Sequence, residues 1–215
     1  MTVLSVKRGA DPDILKIGLS DGSLFYIRPS YISHPMISRL DSLLLQNNGS
    51  GLEISYEEQE LLLFASECFQ LERKALQLIG RAEQTRQGLF QKLKRHGYSE
   101  KAIHAVLDRL ESLDLINDRR FAAAWIHTQL ALHTIKSAYQ LIFHLMQRGV
   151  DAQIADELVK SFYPAELEKE AIKGYLRKGR FNVEELTPLV LKQILQKARF
   201  SKKSIRLFLD ENIQK

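Results

Sequence analysis

The sequence predicts a mainly α-helical protein: three tandem three-helix bundles forming an elongated array, preceded by a small N-terminal β-hairpin segment. Three observations predict it. Helical periodicity runs almost unbroken after Gly51, and glycines and capping residues interrupt it at near-regular spacing. An Asp-Gly pair also sits between two short runs of branched and apolar residues near the start.

The N-terminal elements come first. TVLSV and ILKIGL read as strands, and SLFYIR follows Asp21-Gly22. Aspartate and glycine tolerate the positive φ of a tight turn, so this reads as a hairpin. Pro29 and Pro35 stop further strand, a short helix is expected over residues 32–45, and QNNGSG at 46–51 reads as a loop or boundary.

Beyond Gly51 the elements are helices. Ser55 and Glu58 have the spacing of a capping box, opening a helix through LERKALQLIGRA with a possible break near Gln70. Later breaks are expected at Gly97, Asn117-Asp118, Gly149, Pro164, Gly179 and Ser201.

Three segments share one phrasing: LFQKLKRHGYSEKAIHAVL, LIFHLMQRGVDAQIADELV and LKQILQKARFSKKSIRLFL. Leu89, Leu93, Gly97 and Ser99 match Leu141, Leu145, Gly149 and Asp151, then Leu191, Leu195, Arg199 and Ser201. Leucines four apart form a buried helical stripe. Glycine ends the helix in the left-handed conformation, and Ser99, Asp151 and Ser201 cap the next one. Tyr98, Val150 and Phe200 are staples for Ile103, Ala155 and Ile205. Arg199 replaces glycine and must bear strain, or its turn is of another type. Each segment follows a further helix, giving units of three with a period near fifty residues. The expected organisation is 1–50 hairpin extension, 51–116 lead-in and first unit, 117–163 second unit and 164–215 third unit.

LINDRRFAAAWI, at 115–126, falls at a junction between units. Asn117 or Asp118 caps the following helix, and Phe121 packs with Trp125 one turn on. One of Arg119 and Arg120 is expected to fold back on Asp118 or Asp114 and the other to reach solvent.

Composition bounds the function. With 215 residues, 45% hydrophobic, the chain can bury a core. No apolar run approaches the roughly 18 residues of a membrane span, and the opening residues do not read as a secretory signal. The lone Cys68 lies among apolar residues and reads as core. The net charge of +5 is uneven: residues 1–70 hold five Lys/Arg against nine Asp/Glu, and residues 71–215 hold 26 against 17. The basic part suits an acidic partner, either nucleic acid or an acidic protein surface, although scattered solvated charge explains it equally well.

No phosphate loop, HExxH motif or zinc-type Cys/His spacing appears. His96 and His144 are expected in solvent, and Glu57-Glu58 and Glu184-Glu185 in first helical turns. No catalytic, cofactor or metal residues are expected, and no enzyme.

In this order and spacing the residues resemble the RecX family, regulators of the RecA recombinase. The likeness runs over residues 75–149 and more weakly to the C-terminus. It rests on Ala75-Leu76, TRQGLFQKL, GYS, IHAVLDRL, then Leu115, Asp118, Arg120, Phe121 and Ala122, and on LxxxLxxRG ending at Gly149. The third unit is divergent, and Asp114 stands where the family tends to have glycine. The resemblance implies a cytoplasmic, non-enzymatic protein of tandem three-helix units. It implies binding in the groove of the RecA filament on DNA, with altered ATP hydrolysis, strand exchange and extension.

The candidate RecA- or DNA-facing residues are Lys92, Lys94, Arg95, Arg119, Lys136, Arg148, Lys202, Lys203 and Arg206, near helix ends in corresponding parts of the repeats. A monomer without cofactor or membrane attachment is expected. Two alternatives stand beside this reading. One is a helix-turn-helix-like DNA binder reading bases with Lys101, His104 and Arg109; the other is a helical adaptor for another protein.

Overall fold

The computed structural model describes residues 2–9, 11–45, 51–133 and 135–213. The loop expected at 46–51 lies, apart from Gly51, outside the described residues. By packing, the chain forms two compact units, one of Met1–Glu83 with Leu89–Ile116 and the other of Gln84–Gly88 with Asn117–Lys215.

The first unit opens on an antiparallel sheet. Strands β1 (Thr2–Arg8), β2 (Leu15–Leu19) and β3 (Leu24–Ile27) form a meander, and the predicted Asp21-Gly22 turn joins β2 to β3 with Gly22 at φ +84°. Helix α1 (His34–Leu45) follows, with Pro35 in its first turn, where a missing N–H is harmless. A short fourth strand, β4 (Leu52–Glu53), pairs with β1, so the sheet order is β3-β2-β1-β4. The sequence showed the hairpin but not this two-residue edge. Val3, Leu15, Ile17, Ile27, Met36 and Leu40 bury one face of the sheet against α1.

Helix α2 (Tyr56–Ile79) is continuous through Gln70, where the sequence allows a break, and stops one turn short of Ala82. Ser55 and Glu58 form the complete capping box. Helices α3 (Arg86–Lys94) and α4 (Glu100–Ser112) complete the first triplet around Leu71, Ala75, Leu89, Leu93, Ile103 and Leu107. A buried carboxylate joins this core to the sheet segment. Glu72 is 3% exposed; it meets Arg28 Nε at 2.8 Å and Arg109 Nε at 3.3 Å, and accepts the Tyr31 hydroxyl. A buried charge is tolerated only when paired and hydrogen-bonded in this way.

The second unit holds two triplets around one core. The helices are α5 (Asp118–Ala131), α6 (Ala138–Met146) and α7 (Ala152–Phe162), then α8 (Ala165–Lys178), α9 (Pro188–Lys197) and α10 (Lys202–Ile213). The predicted leucine stripes are inside: Leu141, Leu145, Leu191 and Leu195 are all buried. Val150 with Ala155, and Phe200 with Ile205, lie in the same core. Ser99, Asp151 and Ser201 cap α4, α7 and α10 as expected.

The turn between second and third helices is left-handed in all three triplets, with φ of +82° at Gly97, +89° at Gly149 and +63° at Arg199. Arg199 therefore adopts the conformation its glycine counterparts adopt, and Phe200 N–H closes the turn on Leu195 O at 3.1 Å, as Val150 N–H does on Leu145 O. Asp114 is also left-handed, at φ +53°, ending α4 with a Leu115 N–H bond to Leu110 O.

Asn117, not Asp118, caps α5, accepting Arg120 N–H at 3.0 Å. Asp118 instead accepts Arg86 N–H, at 2.8 Å, at the N-terminus of α3. Glu168, in the first turn of α8, does the same for α6, taking Ala138 N–H at 2.7 Å. An acidic residue of a first helix also meets the third-helix cap twice: Glu67 accepts Ser99 N–H, and Glu168 accepts Ser201 N–H and the Ser204 hydroxyl. Each places negative charge at the positive end of a helix.

The two glycine turns differ in surroundings. A Cβ at Gly97 would meet nothing within 4 Å, whereas one at Gly149 would lie 2.3 Å from Gln87 Cβ. Gly97→Ala should therefore lose only the left-handed preference, about 1 kcal/mol. Gly149→Ala adds overpacking of a further 1–3 kcal/mol, roughly. Urea midpoints followed by circular dichroism check this, and equal losses would place Gln87 elsewhere.

Candidate functional site

The candidate cations fall into separate groups. Lys92, Lys94 and Arg95 are exposed at the C-terminal end of α3, where positive charge complements the helix dipole. Lys94 pairs with Glu100 and lies 5.9 Å from the Phe90 ring centroid. In the second unit, Lys202 and Arg206 line a shallow depression of about 530 Å³ with Lys192, Gln196 and Ile205. Lys203 is exposed beside them on α10. Arg206 keeps an exposed pairing with Asp210 at 3.7 Å, which holds it weakly.

The other three each have a partner within the second unit. Arg119 pairs with Glu157 of α7 at 3.0 Å. Half-buried Lys136 donates to Gln129 Oε1 at 2.9 Å. Arg148 lies over the Trp125 ring at 4.9 Å and donates to His144 O at 2.7 Å. Its own carbonyl accepts the Thr85 hydroxyl at 2.6 Å.

An aromatic and arginine cluster accompanies Arg148, and sequence reasoning missed it. Phe121 and Trp125 pack on the second unit's core, and the indole faces His144 at 6.4 Å. His144 is thus half-buried between Trp125 and Phe143, not solvated as expected. Arg199 lies 5.0 Å over Tyr139. A signal existed: helix α6 has more apolar residues than a single buried stripe can use.

The three base-reading candidates of α4 are engaged by neighbours. Lys101 lies 4.8 Å over Phe64, the His104 ring lies tilted against Phe90 at 5.1 Å, and Arg109 is held by Glu72. Glu184-Glu185 sit in a short 3₁₀ turn, Val183–Glu185, rather than an α-helical first turn. Among the described residues, no group of three His, Cys, Asp or Glu could hold a metal ion, and no helix is long and apolar enough to cross a membrane.

Paired and capped this way, the helices define a tandem three-helix-repeat protein. The same triplet occurs in known proteins. Residues 73–110 match the family model described as RecX, first three-helix domain. The regulatory protein RecX of Prosthecochloris aestuarii is 31% identical over 140 residues, covering 64% of this chain and 90% of that protein. That of Caldanaerobacter subterraneus subsp. tengcongensis is 27% identical over 139 residues, covering 65% of this chain and 70% of that protein. A crystal structure of a regulatory protein RecX shares the fold, with a TM-score of 0.70 at 20% identity over 97% of this chain and 98% of that one. The chain belongs to the RecX family.

Cys68 is fully buried in the first unit, and burial pushes its thiol up to about 12, aided by the charges of Glu67 and Glu72. At pH 8 the thiolate fraction should be on the order of a thousandfold below that of an unfolded cysteine. Ellman's reagent should leave the native thiol unlabelled and react fully in denaturant. Native labelling at the unfolded rate would contradict this burial.

Proposed function

We propose that this protein binds the RecA filament on DNA and restrains it, lowering ATP hydrolysis and strand exchange in the cytoplasm during recombinational repair. Membership of the RecX family carries the reading, since the relatives in Prosthecochloris aestuarii and Caldanaerobacter subterraneus subsp. tengcongensis are named regulatory proteins RecX. Exposed cations at the end of α3 and on α10 support it, because a nucleoprotein filament is a repetitive acidic target. We assign Lys92, Lys94, Arg95, Lys202, Lys203 and Arg206 to that contact. Arg119, Lys136 and Arg148 are candidates of the same kind, each also engaged by a neighbour within the second unit.

The reading of α4 as a duplex-reading helix is less well supported, because Lys101, His104 and Arg109 are each held by a neighbour within the first unit. The triplets at 51–116, 117–163 and 164–215 would then present repeated helix ends to repeated recombinase protomers.

Titrating the protein into cognate RecA on single-stranded DNA should lower ATPase and strand-exchange rates in a salt-sensitive way. Reversing Lys92, Lys94, Arg95, Lys202, Lys203 and Arg206 to glutamate should raise the half-inhibitory concentration at least about tenfold with helicity retained. Equal inhibition by this variant would remove the assigned surface, and no effect of the wild type would remove the function.

A further inference from the structure

Helix α6 carries a second apolar face. Leu141 and Leu145 point into the core, but Tyr139, Phe143 and Met146 are 50%, 47% and 46% exposed. Spaced i, i+4 and i+7, they fall within an arc of about 60° opposite the buried stripe. Half-exposed side chains of roughly 200 Å² each make a patch on the order of 300 Å², the size that marks a contact surface.

Folding does not require this stripe. The corresponding residues are Gln87, Gln91 and Lys94 in α3, and Leu189, Gln193 and Gln196 in α9. The same triplet frame therefore forms with mostly polar residues at these places, so what the stripe offers is particular to the middle triplet.

Its surroundings select the occupant. From Ala138 to Val150 there is no Asp, Glu or Lys. Arg199 lies over Tyr139, and Arg148, over Trp125, follows at the helix end. Tyr, Phe, Trp, Met and Arg without Lys or Glu is the composition of a protein–protein interface core. A nucleic-acid strand would instead be met by cations along the helix, and α6 has none beyond its end. The rim is positive, so the complementary surface is apolar and edged with carboxylates.

We propose that Tyr139, Phe143 and Met146, rimmed by Arg148 and Arg199, dock an acidic amphipathic segment of the protein partner. On the reading above, on which this rests, that partner is a RecA protomer. The cations of α3 and α10 then draw the protein to the filament, and α6 grips its protein component.

The test uses the full chain with Tyr139, Phe143 and Met146 all changed to Gln, which copies the polar character of the other triplets and should fold. Three probes are used: RecA filaments on single-stranded DNA, a dT30 oligonucleotide, and a tryptophan-free helical peptide of alternating Leu and Glu faces, read by the fluorescence of Trp125. The wild type should bind filaments and peptide. The triple variant should bind both at least tenfold more weakly at unchanged helicity, with the oligonucleotide unaffected, and Arg199→Glu should weaken the peptide in low salt. If the wild type ignores filaments but binds the peptide through this face, the identity of the partner falls and the docking face stands. Equal binding of wild type and triple variant to the peptide, or loss of the oligonucleotide alone, overturns the proposal.

Discussion

The architecture depends on one backbone requirement, a single left-handed residue between the second and third helices of each triplet. At Gly149 that residue lets Val150 N–H reach back to Leu145 O, so the chain reverses within one turn and Asp151 is already in place to cap α7. The reversal fixes which faces of the two helices meet. The leucine stripe of the first and the apolar face of the second then share one core. Glycine meets the requirement without steric penalty. Arg199 meets it against its own preference, which is sustained because Phe200 and Leu195 on either side of the turn are buried.

Carboxylates then fix the helix ends. Asp118 and Glu168 each close the N-terminus of a helix that precedes them in the chain, α3 and α6 respectively. Glu168 also holds the cap of α10, and at 1% exposure it has no water to fall back on. Removing such an acceptor leaves buried N–H groups unpaired. In the first unit Glu72 plays a comparable part, binding the segment after β3 to α2 and α4 through Arg28, Tyr31 and Arg109.

Much of this was legible in the sequence because it is local. Capping residues, leucine spacing and the Asp-Gly turn act over three or four positions, and each was found where its residues placed it. Alignment with two glycines left Arg199 either strained and left-handed or in a turn of another type, and the structure shows the first. What escaped was nonlocal. The edge strand β4 is two residues long and exists only because β1 lies beside it. The sequence offers Asn117 or Asp118 as the cap of α5, and only the packed structure shows Asp118 serving α3 instead. The partner of Arg119 lies on another helix, and the burial of His144 follows from Trp125, nineteen positions earlier. Of the surface proposed for the partner, the sequence displays the charge but not the shape. The outward stripe on α6 looks like core in the sequence, and only its exposure separates it from Leu141 and Leu145.

The fold and the proposed contact meet at the turns. Lys92, Lys94 and Arg95 lie just before the left-handed Gly97, and Lys202 and Lys203 just after the left-handed Arg199, so the proposed cations flank the turns. The most direct measurement is of the backbone at these turns, by Cα and Cβ chemical shifts and amide–Hα couplings on isotopically labelled protein. Positive φ is expected at Gly97, Gly149 and, decisively, Arg199. A right-handed or extended Arg199 would mean that the third triplet is not built on the same turn as the first two.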